Sequence, residues 1–365
     1  MTDSAPSLLI GRSAELHQVS QIFEADGDLM VAGVPGSGRR SLIRQAAQAV
    51  GGKLIDIDCL RATTSSRFLE LLAEKILDVI VEPTELAWVE QWLSNLPVVL
   101  DRGLPQRCRL VWSVPNREEW QILRVLLSLP QSLAEHLDCR VVFMFQNFPH
   151  IRSWDRTGHW ETYLRQEVKR QSRVNYVIVA TIVEPWVAES NLQVFKLPPL
   201  PRSEMQIWVE EVFWTKALKF EVDALELLLD YVQGHPGSAV SLVQRLWLEY
   251  RSGSSDRWIE TTAGFIQLHH VNHATLSLVE DLSLTFESLL LLLPPIQARV
   301  LESLAIDPTD SPHARQYVRK HQLSRGGGLQ GALAGLEQKG LIYSAEYGYQ
   351  LAMPLMAFWL KHRLS

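Results

Sequence analysis

The sequence predicts an α/β fold, a parallel sheet with a helical lid, followed by an α+β winged helix-turn-helix domain. Three observations carry this expectation. Short apolar runs alternate with amphipathic stretches through the N-terminal half. A glycine-rich turn joins the first run to the stretch after it. From Pro294 onward the pattern is three short helices, two short strands and a last helix.

At 365 residues the chain exceeds what one core comfortably serves. The expected division is an α/β domain over 1–200, a lid over 201–251, a linker and helical connector over 252–285 and the winged helix over 286–365. Asp28–Ala32, Lys53–Asp58, Arg140–Gln146 and Asn175–Thr181 read as strands. The interval Leu60–Cys139 holds helical patterns, SRFLELLAEKILDVI and EEWQILRVLLSLPQSLAEHL, and a candidate strand, RLVWSV; it is long enough for an insertion. LPPLPRSE after Lys196 is a rigid break, with Ser203 as the expected N-cap of a helix through EMQIWVEEVFW. A second lid helix, in FEVDALELLLDYVQ, stops at Gly234, and a third runs from near Ser238 to Tyr250. Arg251–Asp256 reads as a linker and Trp258–Leu284 as a helical connector. IQARVLESLAI, HARQYVRKHQL and LQGALAGLEQK are the helices of the winged domain, with its strands expected around Glu346–Gly348.

Composition narrows the function classes. A net charge of −6 argues against a generally basic nucleic-acid binder. Cys59, Cys108 and Cys139 have no CxxC spacing, so neither a zinc site nor a disulfide framework is expected. The apolar run Leu289–Leu293 is cut by Pro294 and Pro295, and the first residues lack a basic, apolar leader; the expected location is the cytoplasm, with no membrane partner. The scattered tryptophans read mostly as core or lid packing. His269 and His273 could share a helix face, yet no Glu follows the first His, and the stretch reads as a polar connector with no metal. No GxSxG elbow is present, so nucleophilic catalysis has no support.

The site candidates begin in DLMVAGVPGSGRRSLIRQAA. Gly33, Gly36 and Gly38, with Ser37 between them, allow the backbone N–H groups and the following helix N-terminus to surround phosphate oxygens. In the GxxxxGK[ST] pattern a lysine reaches the phosphates and a hydroxyl ligates magnesium. Arg39 and Arg40 stand at those places here, and Ser41 comes one place late. Arginine keeps the charge in a larger planar fork, and Arg40 offers no metal ligand.

With these motifs the chain resembles the archaeal-ATPase-like branch of the AAA+/STAND P-loop ATPases, related to origin-recognition-type initiators. LIGRSAELHQV looks like the family's opening motif, which implies Ile10, Gly11 and Arg12 at the adenine. RVVFMFQNF matches the strand that carries an Asp-Glu pair, but Gln146 and Asn147 replace the acids ahead of Phe148. VVLD, ending at Asp101 and followed by Arg102, is the rival acidic strand. VNYVIVATIVEP implies a γ-phosphate sensor at Thr181, and QGHPGSAVSLVQRLW implies a lid turn with His235 and Pro236 near the base or ribose. The segment from LPPIQARVLESLA to the end resembles the family's winged helix.

The resemblance implies ATP or ADP as ligand, and the replacements imply that magnesium is not strongly bound. The expectation is therefore a pseudo-ATPase: a regulatory or scaffold protein without catalytic residues, whose lid or winged helix engages a protein. The alternatives are a slow ATP hydrolase using Arg39 and an acid from elsewhere, such as Asp101 or a neighbouring subunit, and a DNA-associated initiator-like factor. DNA is the less supported partner, because the recognition helix offers only Gln330, Gln338 and Lys339, with Arg325 ahead of it and Arg315, Arg319 and Lys320 on the preceding helix.

Overall fold

Five parallel strands order as β2-β5-β6-β1-β7. They are β1 (Leu29–Ala32), β2 (Lys53–Asp58), β5 (Val141–Gln146), β6 (Val174–Ala180) and β7 (Gln193–Lys196). The computed structural model describes residues 9–104, 107–113, 119–168, 172–252, 264–323 and 326–364. The linker residues 253–256, Trp258 and Arg325 lie outside them. All of β1 and β6, and β5 up to its last residue, are buried. Strands covered on both faces read as unbroken apolar runs, so the sequence marks them clearly.

The chain forms two compact units: one holds 13–32 and 39–196, the other holds the described residues up to Arg12, the turn Gly33–Gly38 and the chain from Leu197 on. In the sheet unit, α1 (Ser13–Glu24), α2 (Arg39–Ala49), α3 (Ser65–Leu77), α4 (Pro83–Trp92), α5 (Glu119–Leu137) and α6 (His159–Val168) accompany the strands. Its core stacks aromatic rings along one sheet face, with Phe143 and Tyr176 centroids 5.6 Å apart and Trp120 over Trp160 at 4.5 Å. Asn175 is fully buried yet satisfied: its Nδ2 donates to the carbonyls of Phe23 (3.2 Å) and Gly27 (2.9 Å).

The VVLD segment is not part of this sheet. It opens β3 (Val99–Leu104), which pairs antiparallel with β4 (Arg107–Val111) in a separate hairpin. Asp101 is therefore excluded as the acid of a central strand, and its Oδ1 accepts the backbone N–H of Gly103 at 2.9 Å.

The other unit carries the lid helices α7 (Arg202–Trp214), α8 (Val222–Val232) and α9 (Pro236–Ser252), with the short strands β8 (Lys219–Phe220) and β9 (Phe265–Ile266). Helix α7 starts one residue before Ser203, which is inside the helix rather than its cap. Pro201, at φ −55°, occupies the cap position without a side-chain hydrogen bond, its ring fixing the entry of the chain. Helix α10 (Leu268–Leu291) runs unbroken through the 285/286 border, because Pro294 and Pro295, the nearest breakers, come later. His270 Nδ1 accepts the N–H of Gln267 at its start, and His273 Nδ1 lies 3.0 Å from Glu249.

Helices α11 (Pro295–Ile306), α12 (Arg315–Lys320), α13 (Gly327–Gln338) and α14 (Pro354–Leu364) complete the winged helix. Its expected strands are reduced to one antiparallel bridge, Ile342 with Leu351, flanked by Tyr343 N–H to Gln350 O and Ala352 N–H to Leu341 O, both 2.9 Å. Residues Ala345–Tyr347 form a 3-10 turn closed by Gly348 at φ +77°, which consumes the residues a longer ladder would need. Among the described residues no helix is long and apolar enough to cross a membrane.

Candidate functional site

In the lid unit the glycine turn is held by the chain around it. Gly36 (φ +81°) and Gly38 (φ +91°) take backbone conformations that disfavour side chains. Helix α8 ends at Val232, and the Gly234-His235-Pro236 turn then brings His235 onto the loop. His235 Nδ1 accepts the N–H of Ser238 at 3.0 Å, so the imidazole proton resides on Nε2, which donates to Pro35 O at 2.8 Å. Gly237 N–H donates to Gly36 O at 3.0 Å. A Cβ on Gly36 would stand 2.5 Å from His235 Cε1, so this approach requires glycine. Burial holds the imidazole below its ordinary pKa, favouring the neutral form that the clamp uses.

Ile10, Gly11 and Arg12 belong to the same unit. Ile10 joins the lid core with Leu200 and Met205. Gly11 (φ +58°) and Arg12 (φ +61°) turn the chain so that the Arg12 N–H donates to Glu204 Oε2 at 3.0 Å and its Nη2 to Pro198 O at 2.6 Å. Arg12 is 1% exposed.

Two buried hydroxyls of this unit, Ser37 Oγ and Tyr343 OH, have no hydrogen-bond partner among the described residues. Tyr343 comes from the winged helix and packs with Val34 of the turn, Ala352 and Tyr347. Burial raises its phenol well above the ordinary range, against the opposing effect of the Arg12 charge. Orphaned buried hydroxyls beside a glycine turn fit a ligand with hydrogen-bonding groups. Tyr343 and Glu204 escape a reading of the sequence, because no motif marks them.

In the sheet unit, Arg39 opens α2 directly after Gly38 in the chain. Its Nη1 donates to Ala180 O at 2.8 Å, at the end of β6, and burial pulls its pKa down to about 10. Thr181 is the next residue after that strand, half-buried. Arg40 Nε donates to Asp56 Oδ2 at 2.7 Å, and Ser41 is exposed. Gln146 Nε2 donates to Asp56 Oδ1; Asn147, at φ +51°, donates from Nδ2 to Asp58 Oδ1 at 2.9 Å. Asp58 lies in register with Gln146 on the neighbouring strand. The amides of Gln146 and Asn147 are thus committed to carboxylates one strand over. The DID ending of KLIDID was the available signal for those carboxylates.

Nine of the candidates, Ile10, Gly11, Arg12, Gly33, Gly36, Ser37, Gly38, His235 and Pro236, fall in the lid unit; Arg39, Arg40, Ser41, Gln146, Asn147 and Thr181 fall in the sheet unit. Arg40 stands where the phosphate-loop pattern has a hydroxyl, and the amides of Gln146 and Asn147 lie against the carboxylates of Asp56 and Asp58. Among the described residues no group of three His, Cys, Asp or Glu side chains is arranged to hold a metal.

A family model described as "Probable winged helix domain" matches residues 284–362. No curated protein matches the chain. Among solved structures, the Walker-type ATPase of Pyrococcus abyssi is 16% identical with a TM-score of 0.65, covering 96% of each chain. The ORC2 protein of Aeropyrum pernix, in its ADPNP-ADP complexes, is 16% identical with a TM-score of 0.59, covering 99% of this chain and 95% of that one. The ORC1 protein of Aeropyrum pernix, in complex with DNA, is 15% identical with a TM-score of 0.51, covering 100% and 97%. The likeness is one of fold: a parallel sheet with helices, followed by a C-terminal winged helix, as in these solved ATPase and ORC structures.

Proposed function

We propose that this chain, built on the fold of the origin-recognition-type ATPases, is a nucleotide-responsive regulatory or scaffold protein. It holds ATP or ADP without efficient hydrolysis and presents its winged helix or lid to a macromolecular partner, foremost a protein. The observation that carries the reading is the pairing of Gln146 and Asn147 with Asp56 and Asp58: the groups that should polarise an attacking water are amides already engaged elsewhere. The glycine turn keeps its phosphate-compatible conformation, and His235 ties it to the lid. Ile10, Gly11, Arg12, Gly33, Gly36, Ser37, Gly38, Arg39, Arg40, Ser41, Gln146, Asn147, Thr181, His235 and Pro236 are the residues proposed for nucleotide binding. The ligand then acts by favouring one lid position over another rather than as a substrate. The α/β domain of this scheme ends near residue 200, the lid near 251 and the connector near 285.

Calorimetric titration with ATP and ADP, with and without magnesium, tests the reading; micromolar binding without turnover supports it, and absence of binding overturns it. The combined variant Arg39→Lys, Arg40→Thr, Gln146→Asp, Asn147→Glu should gain hydrolysis if those four positions account for the loss.

A second reading, slow hydrolysis, draws on the carboxylates of Asp56 and Asp58 beside Gln146. Magnesium-dependent turnover by the native chain, abolished in Asp56→Asn, would establish it. For DNA, two of the candidate cations of the winged helix are engaged internally: Lys320 Nζ pairs with Asp307 at 2.6 Å and Lys339 Nζ donates to Gln297 at 2.8 Å. That favours a protein partner, and salt-dependent binding to duplex DNA would reverse the preference.

A further inference from the structure

Arg40 is the second residue of α2, an eleven-residue helix that begins directly after the glycine turn. A carboxylate reaches it from the neighbouring strand: Asp56 Oδ2 accepts from Nε at 2.7 Å, and the other oxygen, Oδ1, accepts from Gln146. Asp56 is itself well packed, its side chain 13% exposed, whereas the Arg40 side chain is 58% exposed. Only the inner nitrogen of the fork is taken. Among the described residues the two terminal nitrogens of Arg40 have no hydrogen-bond partner. The carboxylate therefore fixes the root and direction of a planar donor pair and leaves that pair unused, the arrangement that suits two phosphate oxygens. Arg44, Arg61 and Lys75 line the same cavity of about 570 Å³ together with the carboxylates of Asp58 and Asp78, and Lys75 is itself paired with Asp78. As a stabilising device the Arg40–Asp56 pair is weak, because a solvent-exposed partner is screened.

At the same place a metal-dependent phosphate loop carries the hydroxyl that ligates the divalent ion. We infer that Arg40, oriented by Asp56, is a tethered cation that takes over the charge-neutralising role of the divalent metal, so that the chain binds the uncomplexed nucleoside di- or triphosphate rather than its magnesium complex. The inference rests on the nucleotide-binding reading above. Arg40 is the ligand-contacting residue, and Asp56 is a positioning residue.

The experiment is calorimetric titration of the full chain with ATP and with ADP, once in EDTA and once in excess magnesium. The native protein is expected to bind equally in both. Arg40→Ser removes the fork and returns a hydroxyl, so its affinity in EDTA should fall roughly tenfold or more, as loss of a charge-assisted hydrogen bond implies, and magnesium should restore it. Asp56→Asn should weaken binding in EDTA, with Asp56→Glu recovering most of the loss; thermal melts of each variant verify folding. Native binding that requires magnesium overturns the inference while leaving nucleotide binding standing. An Arg40→Ser variant as tight as native in EDTA, or equally weak with and without magnesium, overturns it as well. No native binding under either condition removes the underlying reading itself.

Discussion

Replacing Gly36 by alanine tests whether the lid turn and the glycine turn form one unit. Two costs act at this position. The backbone sits at φ +81°, where an L side chain costs roughly 1–2 kcal/mol. The added Cβ would also stand 2.5 Å from His235 Cε1 and 2.6 Å from Nε2, a collision with a ring held on both sides. Relieving it means displacing His235 from Pro35, which adds about 1–3 kcal/mol, the usual cost of overpacking. Gly38 provides the internal control: its φ is +91°, but nothing lies within 4 Å of its Cβ position. Gly38→Ala therefore carries the backbone cost alone. Urea unfolding of both variants should show Gly36→Ala the more destabilised, by about 1–3 kcal/mol. Equal midpoints for the two variants, or a smaller loss for Gly36→Ala, would refute the clamp.

Asp28 accepts the N–H of Tyr176 at 2.7 Å, and burial raises its carboxyl from 3.8 to about 7. A raised folded pKa stabilises the protonated form, so stability is full below pH 3.8 and declines as pH rises toward 7; by pH 8 the cost reaches ~4 kcal/mol at most. Asp28→Asn should thus flatten the pH dependence of melting between pH 4 and 8 and gain most at pH 8; parallel curves for the two proteins would contradict this. His235 has the opposite sign. Its pKa is depressed from 6.5, so the unfolded chain takes up the proton first, and the stability supplied by the neutral clamp is lost as pH falls below 6.5. His235→Asn should show a smaller acid-induced drop in melting temperature than native protein. Tyr343→Phe removes a buried hydroxyl that lacks a partner and should leave the nucleotide-free protein unchanged or about 1 kcal/mol more stable; a loss above that, read by chemical denaturation, would mean the hydroxyl is engaged.

Strands β1, β5 and β6 were legible as short, largely apolar runs, β2 as the alternating KLIDID, and the glycine turn because its residue types answer a local backbone demand. The lid helices were legible from their periodicity, to within a residue or two at their ends. The hairpin that withdrew Asp101 from the sheet was less clear, since VVLD reads alike in a central strand and in a peripheral one. In the wing, the sequence signalled a turn but not how few residues would remain to pair.

Local structure, then, was decided by sequence: which segments are strands or helices, and where the glycine turn falls between the first strand and the helix after it. Only tertiary structure decided that Asp56 and Asp58 hold Gln146, Asn147 and Arg40, and that Tyr343 rests on Val34. The reason is physical. Asp56 and Gln146 are 90 positions apart and Val34 and Tyr343 much farther, and such partners meet only through strand order and packing, which no local pattern encodes.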